Sequence, residues 1–542
     1  MGIDAAVRSR DSKVLANLSQ FGRQSLRQMA KVVGLTKDSV ARSLTALSQR
    51  NRYPESPFWE TAAGQAWLKL LVIGALYTFG LKGNQGAERL SEFFKLVRVS
   101  SHVGVSPSAL RTIMREMEEQ VARFGSIQEE NQREKGGDGR EIVGSGDETW
   151  LGEQTLLVLM DLSSGYLVLE EEAADRSYAT WQAQAQARLE ALGLRVRHFI
   201  SDRGKSLIKL ATASLGCEAG ADLFHAQYDL SKWLGRSLHG RLSRVSQQVA
   251  DGQEKLAGLV EKQAPAEKIL WQKQKLAQAE EKLKNIAAGQ EAYHQAQRAV
   301  SVAVHAFSAE DNTPQRSTEV EKRLEAQAQR IEQIAQEQGV VDQREVMGKF
   351  RRQFNAVASI VDAWWLWTQE SLDRDLAPEG RDWVLSVLLP VIYWHQQLQK
   401  TQSPDLKKLY QAAWRKAQAA YATHPITQTM SPQEVAQWRG WAEGAAGNFH
   451  RASAAVEGRN GCLARSYREG RGLTTRRLAA LTVIHNYDTR RPDGTTPAER
   501  LYGEKFPDLF AWLLGQRPAL PLPRQARQRT APNPLEFKSV AA

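Results

Sequence analysis

The stretch Thr155-Leu156-Leu157-Val158-Leu159-Met160, followed by Asp161-Leu162-Ser163-Ser164-Gly165 and Tyr166-Leu167-Val168-Leu169, decides how the middle of this chain folds. Two short apolar runs parted by a polar segment that ends in Gly read as a strand, a turn and a returning strand. Outward from it, Ser177 to Leu192 has helical spacing, and Gly193 ends that helix. Val196 to Ile200 is a further strand, running into Ser201-Asp202-Arg203-Gly204. Two hairpin strands, a helix and another strand predict an α/β layer.

Two aspartates stand out against that layer. Asp147 opens Asp147-Glu148-Thr149-Trp150 at the start of the strand region, and Asp202 directly follows an apolar strand. Ligand sites in α/β sheets gather at the C-terminal strand edge. Carboxylates with water suit hard divalent ions such as magnesium, and two such ions can serve phosphodiester chemistry. Taken alone, an Asp after a strand reads as readily as a turn or cap residue. Among the neighbouring acids, Glu148 is predicted to face the opposite side of its strand. Asp161 is read as a turn residue, and Glu170, Glu171 and Glu172 as a solvated strand end.

The first 125 residues read differently. Ser25 to Val33 is helical in pattern, Gly34-Leu35 turns, and Thr36 is a good N-cap for a second helix. Val40, Leu44 and Leu47 share one face of that helix, with Lys37, Arg42 and Ser43 off it. This is a helix-turn-helix pattern; an ordinary helical hairpin is the plain alternative. A second unit follows. Ala87 to Val97 reads as helix, a turn lies near His102-Val103-Gly104, and Ser106 caps a helix that begins at Pro107. If both units read DNA, the exposed helix starts supply the contacts, namely Lys37, Ser39 and Arg42 in one and Ser108 and Arg111 in the other. Ile127 to Gly146 is polar and Gly-rich and is predicted to be a linker.

Strand signals vanish from Ser231 to about Gly339. Lys255 to Lys284 and Val320 to Gln338 are rich in Ala, Gln, Glu and Lys with spaced Leu, Ile and Val. That composition predicts long exposed helices, an antiparallel pair broken at Phe307 to Ser317. Arg351 to Trp441 is helical and aromatic, with eight of the fifteen Trp, including Trp364, Trp365 and Trp367. We read these as core filler; stacking on DNA bases is the alternative.

A chain of 542 residues exceeds one ordinary core, so several domains are expected. The formal charge is +11 with pI near 9.5, which favours an anionic partner. Residues 448 to 542 hold 16 Lys/Arg against 8 Asp/Glu, so most of the excess sits there. Cys217 and Cys462 are the only cysteines, which excludes a disulfide framework and most thiolate metal sites. No signal-peptide pattern is visible at the start, and Trp67 to Leu81 reads as a buried helix rather than a bilayer span. These features predict a cytoplasmic, nucleoid-associated protein.

The tail adds motifs. It reads Val456-Glu457-Gly458-Arg459-Asn460-Gly461-Cys462-Leu463-Ala464-Arg465, then Gly472-Leu473, a helix from Thr474 to Ile484, and His485-Asn486-Tyr487-Asp488. Arg491-Pro492-Asp493-Gly494-Thr495-Thr496-Pro497-Ala498-Glu499-Arg500-Leu501-Tyr502-Gly503 closes it. Over about fifty residues this resembles the end of the catalytic domain in bacterial insertion-sequence transposases of the DDE superfamily. There a glutamate in a Val-Glu-x-x-Asn-like helix precedes a helix, an Asn-Tyr segment and an Arg-Pro…Thr-Pro-Ala-Glu-Arg-Leu stretch.

The resemblance implies a fold and a chemistry. The fold is multidomain α plus α/β, a tandem helix-turn-helix front followed by a ribonuclease-H-like catalytic core that a long all-α insertion interrupts. The implied boundaries are 1–125 for the DNA-binding front, 126–143 for the linker, 144–230 and 446–515 for the two parts of the core, 231–445 for the insertion and 516–542 for a basic tail. Asp147, Asp202 and Glu457 match the catalytic and metal-binding triad, holding two Mg2+ or Mn2+ ions. Leu223-Phe224-His225 and Asp229-Leu230-Ser231-Lys232 match the junction where such insertions begin, which puts His225 beside the metals or in a structural role. Arg459, Arg465, Arg468 and Arg471 become candidate phosphate contacts, with a solvated basic face as the plain alternative. The implied activity is hydrolysis at the ends of a mobile element, followed by transfer of the freed 3′-hydroxyl into target DNA. The implied partners are double-stranded DNA and at least a second copy of the chain, with no membrane. A non-catalytic helix-turn-helix regulator, a domesticated transposase and a plain ribonuclease-H-like nuclease are the rival readings.

Overall fold

The computed structural model describes residues 3–51, 53–135, 139–470, 472–517 and 520–523. It forms two compact units. One gathers residues 1–128 with 463–499 and 503–542, and the other holds 129–462 with 500–502. The protein is therefore multidomain α plus α/β, mostly helical with a single five-stranded mixed sheet among the described residues. These units do not follow the predicted boundaries. Most of 446–515 belongs with the N-terminal helices, and 231–445 shares its unit with the sheet.

In the first unit, helices Ile3–Phe21, Leu26–Val33 and Lys37–Arg50 close over Val14, Met29, Val40 and Leu47. Gly34 ends the second helix at φ 69°, a left-handed turn that glycine adopts without strain. Thr36 caps the third by accepting the Ser39 amide. Ser43 was expected off the packed face, but it is buried and takes a hydrogen bond from Arg10. The apolar stretch becomes a 21-residue helix, Ala62–Lys82, longer than the predicted Trp67 to Leu81 and apolar enough by length and composition to cross a membrane. Its Leu68, Val72, Ile73, Leu76 and Leu81 are buried in protein. Polar side chains also reach it, because Tyr77 donates to Asp488 at 2.8 Å and Arg477 donates to the Gly80 and Leu81 carbonyls.

The predicted linker is largely regular structure. Helix Pro107–Glu134 runs through its first part and strand β1 (Arg140–Leu151) through its last, while 136–138, in its Gly-rich middle, lie outside the described residues. Glycine content suggested flexibility there, yet Gly144 and Gly146 are strand residues whose missing side chains make room. A Cβ on Gly146 would lie 2.8 Å from Phe199 Cζ and 3.3 Å from Trp181 Cη2.

β1 is the centre of the sheet. It pairs antiparallel with β2 (Gln154–Asp161), which pairs antiparallel with β3 (Leu167–Ala173). On its other side it pairs parallel with β4 (Leu194–Ser201), and β4 pairs parallel with β5 (Glu218–Ala221). The order is thus β3-β2-β1-β4-β5. Helix Tyr178–Leu192 runs between β3 and β4, capped by Ser177 and ended by Gly193, and buries Trp181, Ala185 and Leu189. A helix from the all-α stretch, Phe354–Ser371, packs on β5 and β4.

From Leu223 to Gly447 the described residues are helical, with one isolated bridge between Phe307 and Pro314. The expected break at Phe307 to Ser317 is there, and the long helices on its two sides, Ala266–Ala303 and Ser317–Glu337, pack on each other. A further reversal at Lys262–Pro265, not foreseen, adds helix Arg236–Glu261, which packs antiparallel on Ala266–Ala303. Trp364, Trp365, Trp383, Trp394 and Trp438 are buried, in keeping with core filler. His305 is fully buried among them between the Tyr393 and Tyr410 hydroxyls, at 2.6 and 2.9 Å.

The close packing around β1 gives a direct test. Gly146→Ala is expected to lower unfolding free energy by about 1–3 kcal/mol, since the new methyl has no space. Gly440→Ala, on an open helix surface with nothing within 4 Å, is expected to be neutral or stabilising by up to about 1 kcal/mol. Urea unfolding of the two variants measures both.

Candidate active site

The sheet lines up three acids. Ser145 on β1 pairs with Ile200 on β4, and Ser201 pairs with Ala221 on β5. Asp147 and Asp202 each stand two residues beyond a paired position, and Asp222 stands one beyond Ala221. Asp202 and Asp222 therefore directly follow β4 and β5, and Asp147 lies level with them inside β1, which runs on to Leu151 paired with β2. Strand alternation puts Gly144, Gly146 and Glu148 toward Trp181 and turns Val143, Ser145 and Asp147 the other way. Glu148 is fixed on its own side, accepting from Trp181 Nε1 at 3.0 Å.

Glu457 arrives from helix Ala454–Gly470. Asp222 brings that helix to the sheet. Its Oδ1 accepts the Phe224 and His225 amides, capping helix Leu223–Leu230. Its Oδ2 accepts the Ser453 amide at 2.8 Å and the Ser453 hydroxyl. Leu223 N adds a bond to Arg451 O at 2.9 Å. Ser453 is the residue before the Glu457 helix, so the end of β5 and the start of that helix are pinned together. One turn past Glu457, Asn460 donates to Asp147 Oδ2 at 2.7 Å. The predicted residues Asp147 and Glu457 thus meet through Asn460, and His225 sits with them.

His225 Nδ1 lies 3.4 Å from Glu457 Oε1 and 3.4 Å from Asp222 Oδ2. Its hydrogen bond to Asp222, helped by the charges of Glu457 and Asp202, lifts its pKa to about 9. Burial, with the charges of Asp202 and Glu148 nearby, pushes the Asp147 carboxyl up to about 6. Asp202 is more exposed; its Oδ1 accepts the Gly204 amide at 2.9 Å. Between them Arg203 takes φ 67°, a strained conformation for a residue with a side chain. Its guanidinium reaches Ala219 O on the β5 side.

This donor set fits a hard divalent cation. Burial and the charge of Asp202 disfavour the ionised Asp147 carboxyl, and an added cation would relieve that. Asn460 Oδ1 is buried without a hydrogen-bond partner, and Glu457 Oε1 is buried with only the ion-pair contact to His225 Nδ1. The three side chains whose ligand atoms all lie within 4.8 Å of one another are Asp222, His225 and Glu457, not the predicted triad. Asp222, however, spends both oxygens on backbone amides and Ser453, so we assign it to scaffolding. Asp147 accepts from the Glu148 amide and from Asn460, Asp202 accepts from the Gly204 amide, and Glu457 lies 3.4 Å from His225. Asp222, Asn460 and the strained Arg203 escaped the sequence reading. Asp222 had a signal, an Asp at the N-cap position directly after a short apolar stretch.

The other predicted residues fall elsewhere. Lys37, Arg42, Ser108 and Arg111 are exposed on the N-terminal helices and Ser39 is half-buried; Arg111 pairs with Glu88. Arg465 and Arg468 are exposed, while Arg471 and most of the basic tail lie outside the described residues. Arg459 is a correction. Its guanidinium is buried against Glu170 on β3 in a two-pronged pair, with both contacts at 2.6 Å. It cannot meet a phosphate, and Glu170 is no solvated strand end. Asp161 is also buried and accepts from the Val143, Ser163 and Ser164 amides, closing the β2–β3 turn.

The Thr496-Pro497-Ala498-Glu499 motif has a structural explanation. Thr496 Oγ1 accepts the Glu499 amide and Glu499 Oε2 accepts the Thr496 amide, a reciprocal cap on helix Pro497–Tyr502. Just beyond, Arg500 donates to Ser164 O at 2.8 Å, and Tyr502 stands edge-on to Tyr166 at 5.8 Å.

Residues 384–529 match the model of a family of unknown function, DUF6399. The matched span contains Glu457, Arg459 and Asn460 but neither strand aspartate. No curated protein matches the chain.

Arg459→Ala is expected to cost about 3–5 kcal/mol of stability by leaving Glu170 buried and unpaired. Chemical denaturation reads this out. Unchanged stability with weakened DNA binding would return Arg459 to the surface role first expected of it.

Proposed function

We propose that this protein is a DDE-type DNA transposase whose ribonuclease-H-like core uses Asp147, Asp202 and Glu457 to hold Mg2+ or Mn2+ ions. The observation that carries the reading is the alignment of Asp147 and Asp202 at matching positions on parallel neighbours β1 and β4, with Glu457 tied to the same edge through Asn460. The strand order, three antiparallel strands continued by two parallel ones, suits such a core. The motif resemblance of the tail supports it independently.

Bound divalent ions supply Lewis acidity toward the scissile phosphate and the attacking oxygen. The chain's own residues set up the rest. Asp147 presents its carboxylate from within β1 and Asp202 from one residue past the end of the neighbouring β4, so the register of the sheet sets where they stand. Asn460 holds Asp147 in one rotamer. His225, cationic at neutral pH, offsets negative charge beside Glu457 and Asp202. Hydrolysis of one phosphodiester frees a 3′-hydroxyl, and that hydroxyl displaces a second phosphodiester in the target, so no covalent protein intermediate forms. The exposed starts of helices Lys37–Arg50 and Pro107–Glu134, with Lys37, Ser39, Arg42, Ser108 and Arg111, are the proposed contacts to element ends. Synapsis of two ends implies at least a dimer.

Asp147→Asn, Asp202→Asn and Glu457→Gln should each reduce cleavage and strand transfer by at least about a thousandfold while end binding persists, because the amide keeps size and loses the charge that holds the ion. Glu148→Gln should keep most activity. The assay incubates the full chain with end-bearing DNA and Mg2+ or Mn2+ and follows nicked and joined products. Full activity in all three amide variants refutes the reading.

A further inference from the structure

Helix Leu223–Leu230 carries more than His225. Phe224 and Tyr228 are 49% and 40% exposed, which is high for large aromatic side chains in a packed region. They lie one turn apart with ring centroids 5.9 Å apart and planes inclined by 20°, so they are stacked. Lys232 Nζ sits 4.0 Å from the Tyr228 ring centroid, and Lys232 and Arg236 continue the exposed positions at four-residue intervals. Phe224 stands edge-on to His225 at 5.9 Å, and His225 touches Glu457. An aromatic step followed by two cations therefore begins at the candidate active site and leads away from it.

We infer that Phe224 and Tyr228 form a stacking platform for an unpaired nucleobase next to the scissile phosphate, with Lys232 and Arg236 following the strand's phosphates. This rests on the nuclease reading of the site. Exposed parallel rings cost free energy in water unless something flat covers them. A nucleobase fits because every base has a π face, and a neighbouring cation favours the anionic strand that carries it. A base inside an intact duplex could not reach the platform, since its faces are already stacked on its neighbours. The inference therefore specifies DNA that is locally unpaired at the cut site.

The test uses the full-length chain bearing Asp202→Asn, so that binding is read without turnover. One probe is an end-bearing duplex. The other is the same duplex with one unpaired 2-aminopurine beside the cleavage position. Tighter binding of the unpaired probe is expected, with quenching of its fluorescence by stacking. Phe224→Ala with Tyr228→Ala should weaken that binding by about tenfold or more and restore fluorescence, leaving intact-duplex binding unchanged. Tyr228→Phe, which keeps the ring, should behave as the parent does. Equal affinity for both probes with no quenching overturns the platform and leaves the nuclease reading standing. Variants that change the oligomeric state but not probe binding would assign the ridge to a protein contact and also overturn it. Failure to bind either duplex, with no metal-dependent cleavage by the unsubstituted chain, removes both readings together.

Discussion

The bond pair between Asp222 and Ser453 holds the candidate site together. One carboxylate caps a helix with one oxygen and grips the Ser453 amide and hydroxyl with the other. The residues it joins are 231 apart in sequence. Hydrogen bonds to a charged acceptor are among the stronger neutral-pH contacts, and this acceptor is almost fully buried, where water competes poorly. Without this latch the start of helix Ala454–Gly470 keeps the Leu223–Arg451 backbone bond, and the rest of its hold falls to Asn460 and Arg459.

The sheet supplies the other half of the geometry. Parallel pairing of β1 with β4 and of β4 with β5 fixes the register, so Asp147 within β1 and the residues just past β4 and β5 come level with one another whatever the loops do. Glycine at 144 and 146 lets Phe199 and Trp181 pack tightly against β1. The ion pair of Arg459 with Glu170 then ties the Glu457 helix to the far edge strand. The helix is held at its start by Asp222, in its middle by Asn460 on Asp147, and between them by Arg459.

Much of this was legible in sequence, and the misses have physical causes. The β2–β3 hairpin, helix Tyr178–Leu192 and β4 stood out because their apolar patterns are short, clean and bounded by Ser, Asp or Gly. β1 was hidden because a strand packed tightly on one face by large neighbours uses glycine, which read locally as linker. β5 has four residues, too few for a period. The reversal at Lys262–Pro265 fell inside a stretch whose composition is uniformly helical, so only the Pro marked it. Arg459 looked like a surface cation because nothing local announces that Glu170, on a strand far upstream, will face it. Asp147, Asp202 and Glu457 could be named, but the side chains that join them, Asp222, Ser453 and Asn460, are recognisable only once β5 and the Glu457 helix are side by side.

The order of the chain also sets a timetable. All five strands and both strand aspartates precede residue 222, whereas Ser453 and Glu457 are made more than two hundred residues later. At about 5–20 residues per second, a ribosome needs on the order of tens of seconds to cover that interval. During it the nascent sheet has its carboxylates in a row, but no partner for Asp222 and no glutamate. The long helical stretch thus acts as a delay as well as a structure, since the strand aspartates are made well before the helix that carries Glu457.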